Sequence, residues 1–306
     1  MTLLTTLIPA YKKDYLGEAF LGLRQQRFRD FRVILSDDSP GAEITAMIRD
    51  GQFSGLLSGI DLLVVRGPQN FYLNHQALLD LWNGQTPLVH FHLDDDIIYP
   101  DFYQTHAQAH ANRRVAATIS RRWLSASDGR PALGVPLPAF VTASEQRVVT
   151  FGADELFATT VAVCDNWLGE LSNMVLSAEG ARHYPRPPAQ GLNYFGLPDV
   201  GFLLEASRHL PLACVLDHLG VFRQHEQQTT HGRHSHSARI AFLCWIAYAF
   251  AAWQEGRITA AQAVNAIAVA SQRALQQLAD DPVVLEYLAL LEQHSGNLDT
   301  LCAEFT

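Results

Sequence analysis

The stretch Pro87-Leu-Val-His-Phe-His-Leu-Asp-Asp-Asp-Ile-Ile-Tyr-Pro100 decides how this chain is interpreted. Its apolar first half predicts a buried strand, and the aspartates Asp94, Asp95 and Asp96 follow that strand. Like charges at the end of a strand repel one another unless a cation lies between them, and carboxylate oxygens suit hard ions such as Mg²⁺ or Mn²⁺. A solvated acidic turn is the alternative, since charge runs usually face water. The strand before the triplet, and an acidic pair after an earlier strand, favour the cation site.

The first hundred residues alternate strand-like and helix-like segments, which predicts a parallel sheet covered by helices. Strands are predicted at residues 3–8, 31–35, 60–65 and 88–93, and helices at residues 14–28 and 74–82. In open α/β sheets, ligands bind beyond the carboxyl ends of the strands. Four polar or turn-forming clusters occupy such positions, at residues 9–11, 36–38, 67–70 and 94–96. We therefore expect them to meet at one edge of the sheet.

Composition limits the partners and the compartment. The 306 residues include 31 Asp or Glu and 22 Lys or Arg, for a net charge of -9. A protein that follows nucleic-acid phosphates would carry the opposite balance, so we expect no nucleic-acid partner. The four widely spaced cysteines indicate reduced core residues in a cytoplasmic protein. Segment 3–8 lacks a preceding basic stretch and is expected to be a strand, not a signal peptide.

The C-terminal part is alanine-rich and helical in pattern. Helices are predicted at residues 259–278 and 282–293, after an uncharged segment at residues 240–253. That segment is shorter than the ~20 residues a membrane-spanning helix needs, so a buried or interfacial helix is expected. Through these helices we expect contact with the inner face of a membrane or with a second copy of the chain.

The N-terminal hundred residues resemble the family 2 glycosyltransferases of the GT-A fold. The similarity lies in the segments TTLIPAY at 5–11, YLGEAF at 15–20, QQRF at 25–28 and DFRVILSDDS at 30–39. The resemblance implies an α/β fold, with a Rossmann-like mixed sheet flanked by helices and a C-terminal helical appendage. It also implies a GT-A domain at residues 1–236, with a nucleotide-sugar-binding half at 1–103 and an acceptor-side half at 104–236. Residues 237–306 would form the helical region.

The same resemblance assigns a binding site for a nucleotide-diphosphate sugar, with a UDP-sugar favoured. Pro9, Ala10 and Tyr11 would line the base pocket, and Asp38 would bond the base with Asp37 beside it. A carboxylate can accept a ring N–H, and an aromatic ring offers a stacking face. The chain departs from the family at Lys12, where Asn is common, and at Pro40. The nucleotide therefore stays open.

The aspartate triplet resembles the family's DxD element, in which one acid contacts the ribose and another binds Mn²⁺ or Mg²⁺. Counting back from Pro100 gives Asp94 for the ribose and Asp95 for the metal, whereas a literal D-x-D gives Asp94 and Asp96. Both registers stay open. His225, in the segment VFRQH at 221–225, resembles a late histidine that binds the metal or the diphosphate.

The remaining candidates come from later in the chain or from the third strand. Asp199 resembles the family's general base, although an acid in a first helical turn can equally serve to stabilise the helix start. The histidines at 231, 234 and 236, with Arg233, are expected on a loop that closes over phosphates. Asn70 follows the third strand, where diphosphate or acceptor contacts occur in the family. Asn74 and His75 lie nearby, and an N-cap role is expected for Asn74.

These expectations describe an inverting, metal-dependent glycosyltransferase of hexosyltransferase type, acting in surface polysaccharide or glycoconjugate synthesis on a saccharide or glycoconjugate acceptor. The alternative is a catalytically weak GT-A domain that acts as a binding or scaffold module.

Overall fold

The computed structural model describes residues 2–186, 192–225, 236–294 and 297–304. The chain divides into two units. The first comprises Met1–Phe151, Leu168–Tyr184 and His209–Gln224, and the second Gly152–Trp167, Pro185–Arg208 and His225–Thr306. The domain boundary expected at residue 236 stays a prediction.

All ten strands of the described chain lie in the first unit and form one sheet. They are β1 (Leu4–Ala10), β2 (Phe31–Asp37), β3 (Leu62–Arg66), β4 (Leu88–Phe91), β5 (Ile97–Ile98), β6 (Ala117–Ser125), β7 (Pro131–Gly134), β8 (Val148–Phe151), β9 (Met174–Ser177) and β10 (Leu212–Arg223). The order is β3-β2-β1-β4-β9-β6-β10-β5, with β7 on β6 and β8 on β10. Strands β1 to β4 pair in parallel, whereas β9 is antiparallel to both β4 and β6. The sheet is therefore mixed, as predicted.

The helices of the described residues are divided between the two units. In chain order they are α1 (Leu16–Gln25), α2 (Glu43–Arg49), α3 (Ser54–Leu57), α4 (Phe71–Trp82), α5 (Phe102–Ala111), α6 (Ala139–Thr142), α7 (Ala153–Thr159), α8 (Ala178–Ala181), α9 (Pro198–Ser207), α10 (His236–Gln254), α11 (Ala260–Gln277), α12 (Pro282–Gln293) and α13 (Leu298–Glu304). Short 3₁₀ turns occur at Val161–Val163 and Leu171–Asn173. Helices α7, α9 and α10 to α13 belong to the second unit.

Two predicted boundaries need correction. Helix α4 begins at Phe71, because Asn70 is its N-cap and accepts a hydrogen bond from Leu73 N at 3.1 Å. The N-cap expected at Asn74 is therefore wrong, and Asn74 is buried inside the helix. Strand β4 ends at Phe91, so the aspartate triplet lies in the turn between β4 and β5.

The second unit is helical. Helix α10 covers the uncharged segment at 240–253, and Ile246, Tyr248 and Phe250 on it are fully buried. The hydroxyl of Tyr248 accepts from Leu197 N at 2.9 Å and donates to Tyr194 O at 3.0 Å. A buried helix was one of the two expectations for this segment, and its residues are either buried or half-buried. No helix in the described part of the chain is long and apolar enough to cross a membrane. All four cysteines are buried, as predicted, and none forms a disulfide bond with another described residue.

Buried histidines are a feature of the first unit's core. His90, His92 and His106 are fully buried, and His75 is 1% exposed. His90 is hydrogen-bonded through Nδ1 to the Tyr103 hydroxyl at 3.1 Å, and His106 through Nδ1 to Thr118 Oγ1 at 2.6 Å. Burial lowers the pKa of His75 and of His92 to about 4, and burial lowers the pKa of His90 and of His106 well below its usual value. These side chains are therefore neutral in the folded protein at pH 7.

His75→Asn tests this arrangement through the pH dependence of stability. The pKa of His75 is about 4 in the folded state against 6.5 for a free histidine, so the unfolded chain binds the extra proton between those values. Stability from this group is complete above pH 6.5 and is lost as the pH falls toward 4. Asn does not titrate. As the pH falls from 6 to 4.5, the unfolding free energy of the variant should therefore decrease less steeply than that of wild type, by about 1.4 kcal/mol per pH unit. Urea denaturation at several pH values measures the two slopes.

The buried carboxyl groups of Asp94 and Asp96 titrate in the opposite sense, but they are common to both proteins and cancel in the difference. Equal slopes in the variant and the wild type would show that the pKa of His75 is similar in the folded and the unfolded protein.

Candidate functional site

The carboxyl ends of three parallel strands are aligned at one edge of the sheet. Ala10 at the end of β1 is opposite Asp37 at the end of β2, and Asp37 is opposite Arg66 at the end of β3. Beyond the strands, the backbone N–H of Asp38 donates to Ala10 O at 2.7 Å. This register brings the predicted base-pocket residues 9–11 next to the acidic pair.

Asp37 stabilises the turn that leads into helix α2. The side chain is fully buried, with Oδ1 accepting from Ser39 N at 3.1 Å and Ser39 Oγ at 2.5 Å. Its Oδ2 accepts from Thr45 N at 2.7 Å and Thr45 Oγ1 at 2.6 Å. Burial acts to raise the pKa of Asp37, but the hydrogen bonds from Ser39 and Thr45 leave it lowered. With both oxygens used locally, Asp37 acts on the site through the shape of the turn.

Asp38, the second acid of this pair, connects two of the loops that follow the strands. It is 5% exposed, and its Oδ1 accepts from Gln69 N at 2.5 Å, which joins the loops after β2 and β3. A Cβ atom on Gly67 would lie 2.3 Å from that Oδ1, so a side chain at position 67 would displace the Asp38 carboxylate. At the same edge, the Tyr11 side chain is 57% exposed. An exposed aromatic ring and a nearly buried carboxylate are the groups that base recognition needs.

Asp94 fixes the chain that follows β1. Its Oδ2 accepts from both Tyr11 N and Lys12 N, each at 2.6 Å. Burial, followed by the neighbouring Asp95 charge, raises the pKa of Asp94 to about 7. The triplet and the base-pocket segment are thereby held together, as the positions beyond adjacent strands predicted.

Asp96 carries a buried oxygen that accepts no hydrogen bond from the described residues. The residue is 1% exposed, and its Oδ1 accepts from Arg223 N at 3.2 Å. Its Oδ2 is buried and has no hydrogen-bond partner among the described residues. Burial and then the Asp95 charge raise the pKa of Asp96 well above its usual range. A buried carboxylate oxygen of this kind needs a proton or a cation.

Arg223, at the end of β10, organises the triplet and was not among the predicted site residues. It is fully buried, and its guanidinium donates to Asp95 O at 3.0 Å, to Ser127 O at 2.5 Å and to Glu18 Oε2 at 2.5 Å. It also lies 4.3 Å from the centre of the Tyr15 ring, within cation–π range. The available sequence signal was a single arginine directly after the apolar run at residues 219–222.

The donor atoms at the triplet fit a hard divalent cation in combination with a phosphate ligand. No group of three or more His, Cys, Asp or Glu in the described part of the chain is arranged to hold a metal ion. Mg²⁺, however, is commonly bound by one or two carboxylates together with substrate phosphates and water. The unpartnered Oδ2 of Asp96 and the adjacent Asp95 carboxylate supply oxygens of the required kind.

The other predicted site residues belong to the second unit. Asp199 lies in the first turn of α9, where its Oδ1 accepts from Val200 N at 2.8 Å and its Oδ2 from Asn166 Nδ2 at 3.4 Å. His225 is 8% exposed. Positions 231, 233 and 234, and the side chain of His236, lie outside the described residues, so the predicted loop over the phosphates stays a prediction.

The fold has counterparts among solved structures. No family model matches the chain, and no curated protein matches its sequence. A crystal structure of S. aureus TarS 1-349 in complex with UDP-GlcNAc superposes with a TM-score of 0.61 at 13% identity, covering 99% of this chain and 80% of that one. The mannosyltransferase PcManGT from Pyrobaculum calidifontis, in complex with GDP-Man and Mn²⁺, gives a TM-score of 0.53 at 13% identity, covering 99% and 83%.

The chain has the GT-A fold. This confirms the predicted fold class, including the parallel half-sheet of β1 to β4 and the helices at the C-terminus. At 13% identity the likeness concerns the fold, and what the site binds is argued separately from its own residues.

Asp96→Asn tests the electrostatic cost of the triplet. The folded-state pKa of Asp96 lies above the unfolded value, so its contribution is favourable at low pH and is lost as the pH rises and the buried group ionises. Asn keeps the acceptor for Arg223 N and removes the charge. Without divalent ions, the variant should melt higher than wild type at pH 8, by about 2–4 °C per kcal/mol gained, and the difference should shrink at pH 5.

Thermal melts in EDTA at both pH values give the comparison. Asp50→Asn, at a position whose side chain is 62% exposed, is the control and should change little. A lower melting temperature for Asp96→Asn at pH 8 would contradict the account.

Proposed function

We propose that this protein is an inverting glycosyltransferase that transfers a sugar from a nucleotide-diphosphate donor to a hydroxyl of a saccharide or glycoconjugate acceptor. The observation that supports this most is the convergence of Asp38, Tyr11 and the buried aspartate triplet at one edge of a GT-A sheet. TarS is solved with UDP-GlcNAc and PcManGT with GDP-Man, so the same fold accommodates donors of this class. Surface polysaccharide synthesis at the cytoplasmic face of the membrane is the setting that we propose.

The donor would bind along the edge formed by β1 to β4. Asp38 would accept the N–H of the base, Tyr11 would stack on it, and Pro9 and Ala10 would line the pocket. Asp94 would contact the ribose only through Oδ1, because its Oδ2 already binds two backbone N–H groups. Asn70 would contribute to the donor site indirectly. It caps the N-terminus of α4, the helix that follows the loop after β3. Among donors we favour a UDP-sugar.

Asp95 and Asp96, with His225 as a further ligand, would hold Mn²⁺ or Mg²⁺. A bound divalent ion would neutralise charge on the diphosphate. PcManGT is solved with Mn²⁺ alongside its donor, which supports a metal in this fold. The protein's own contribution is to keep the carboxylates close together through Arg223 and the backbone N–H groups after β1.

Asp199 would act as the general base. Its carboxylate would take the proton of the acceptor hydroxyl while that oxygen forms the new bond to the anomeric carbon and the bond to the diphosphate oxygen breaks. Inversion follows because the attack comes from the face opposite the departing diphosphate. Placement in the first turn of α9 stabilises the charged form of the acid, and Asn166 hydrogen-bonds to Oδ2.

Asp38→Asn tests the donor site. The amide can still accept from Gln69 N but offers an NH₂ group where the carboxylate would accept the N–H of the base. Affinity for UDP should fall by about 1.5–3 kcal/mol, the scale of a hydrogen bond to a charged group, with the melting temperature of the free protein nearly unchanged. Calorimetric titration with UDP and GDP, with and without Mn²⁺, measures this. Wild-type affinity in the variant would remove Asp38 from base recognition, and the absence of nucleotide binding by the wild type would overturn the proposed function.

Asp199→Asn separates catalysis from binding. The substitution keeps the size and one acceptor oxygen, for Val200 N, but removes the base, so sugar transfer should fall by about 10²–10⁴-fold while donor affinity stays near wild type. Glu205→Gln, further along α9 and paired with Arg208 at 2.8 Å, is the matched control and should retain transfer. Normal turnover in Asp199→Asn would reduce the role of this acid to stabilising the helix start.

A further inference from the structure

Lys12 is fixed against the aspartate triplet through both its backbone and its side chain. Its N–H donates to Asp94 Oδ2 at 2.6 Å, and its Nζ forms an ion pair with Asp95 Oδ2, also at 2.6 Å. The two side chains of the ion pair are only 18% and 8% exposed. The ammonium group therefore occupies an oxygen of a carboxylate proposed to bind a divalent ion.

An ammonium group and a divalent ion compete for the same carboxylate at such a site. Both are attracted to the carboxylate, but they repel one another strongly where water is largely excluded. The lysine ammonium is a compact charge on a flexible four-carbon stem, so it can leave the carboxylate oxygen by rotation of its own side chain. The backbone of Lys12 stays in place through Asp94, which limits the movement to the side chain.

Arg223 differs from Lys12 in this respect. Its guanidinium binds the main-chain oxygen of Asp95 and of Ser127 and the carboxylate of Glu18, and it is fully buried. Several simultaneous bonds hold it in one position, whereas Lys12 is partly exposed. Of these two cations, Lys12 is the one that a metal ion can replace at the carboxylate without breaking the hydrogen bonds that hold the turn.

We propose that Lys12 is a resident counter-ion of Asp95 that a divalent cation must displace, and that the displaced ammonium then binds the donor's diphosphate. The proposal rests on the proposed function of the same site. Lys12 makes the metal and the nucleotide bind together: the metal alone must expel the ammonium into water, whereas a diphosphate supplies the ammonium with an anionic partner. The free protein then binds Mn²⁺ weakly, and UDP strengthens Mn²⁺ binding.

Lys12→Met removes the competing charge while keeping an unbranched side chain of similar length. In the absence of nucleotide, the variant should bind Mn²⁺ about tenfold more tightly than wild type, since the repulsion between the two cations is lost. The factor by which UDP strengthens Mn²⁺ binding should be smaller in the variant. Electron paramagnetic resonance of free Mn²⁺, titrated into each protein with and without UDP, measures both quantities without an activity assay.

Two variants make the comparison specific. Lys13→Met removes the same charge from the next position, where Nζ pairs with Glu43 at 2.7 Å and the side chain is 55% exposed, and it should leave Mn²⁺ affinity at the wild-type value. Lys12→Arg keeps the cation and should also stay near wild type.

Equal Mn²⁺ affinity in Lys12→Met and Lys13→Met, with UDP strengthening Mn²⁺ binding equally in both, would overturn the role of Lys12 and leave the nucleotide site standing. Weaker Mn²⁺ binding in Lys12→Met would overturn it as well. If none of the proteins bound UDP, with or without Mn²⁺, the proposed function itself would fail.

Discussion

Burying three adjacent carboxyl groups is the constraint on which the site depends. Asp94, Asp95 and Asp96 are all buried residues. Loss of water, followed by the charge of Asp95, raises the pKa of Asp94 and of Asp96. Residues distant in sequence offset this cost: Lys12 with its ion pair, Tyr11 with a backbone N–H, and Arg223 with donors to the third acid and to the main chain. The turn thereby links the ends of β1, β4 and β10.

The same interactions leave some carboxylate oxygens of the triplet bonded and another without a partner among the described residues. A set of carboxylates with every oxygen paired would be stable but would offer nothing to a cation. Here Asp94 is saturated on one oxygen, whereas Asp96 keeps one oxygen without a partner among the described residues. Asp37 and Asp38 differ in a similar way: Asp37 accepts hydrogen bonds on both oxygens inside its turn, and Asp38 accepts one on Oδ1 from Gln69 N. In the proposed function, Asp37 therefore holds the turn and Asp38 binds the base.

Much of the first hundred residues could be predicted because their signals are local. The strands at 4–10, 31–37 and 62–66 lie within a few residues of the predicted segments, since alternating apolar runs and turn residues mark them directly. The middle of the chain could not be assigned, because β6, β9 and β10 depend on pairing with strands far away in sequence. The N-cap of α4 was misplaced because two asparagines, Asn70 and Asn74, both suit the start of a helix.

By itself, the sequence determined the fold class and the set of acids at the carboxyl ends of the strands, because periodicity and strand-end position are properties of short segments. Only the tertiary structure decided how those acids are used. Whether a carboxylate binds a backbone N–H, an ammonium or a ligand depends on which distant groups lie within about 3 Å of each oxygen. Arg223 lies 127 residues from Asp96, and Lys12 lies 83 from Asp95, so no local pattern could report either contact.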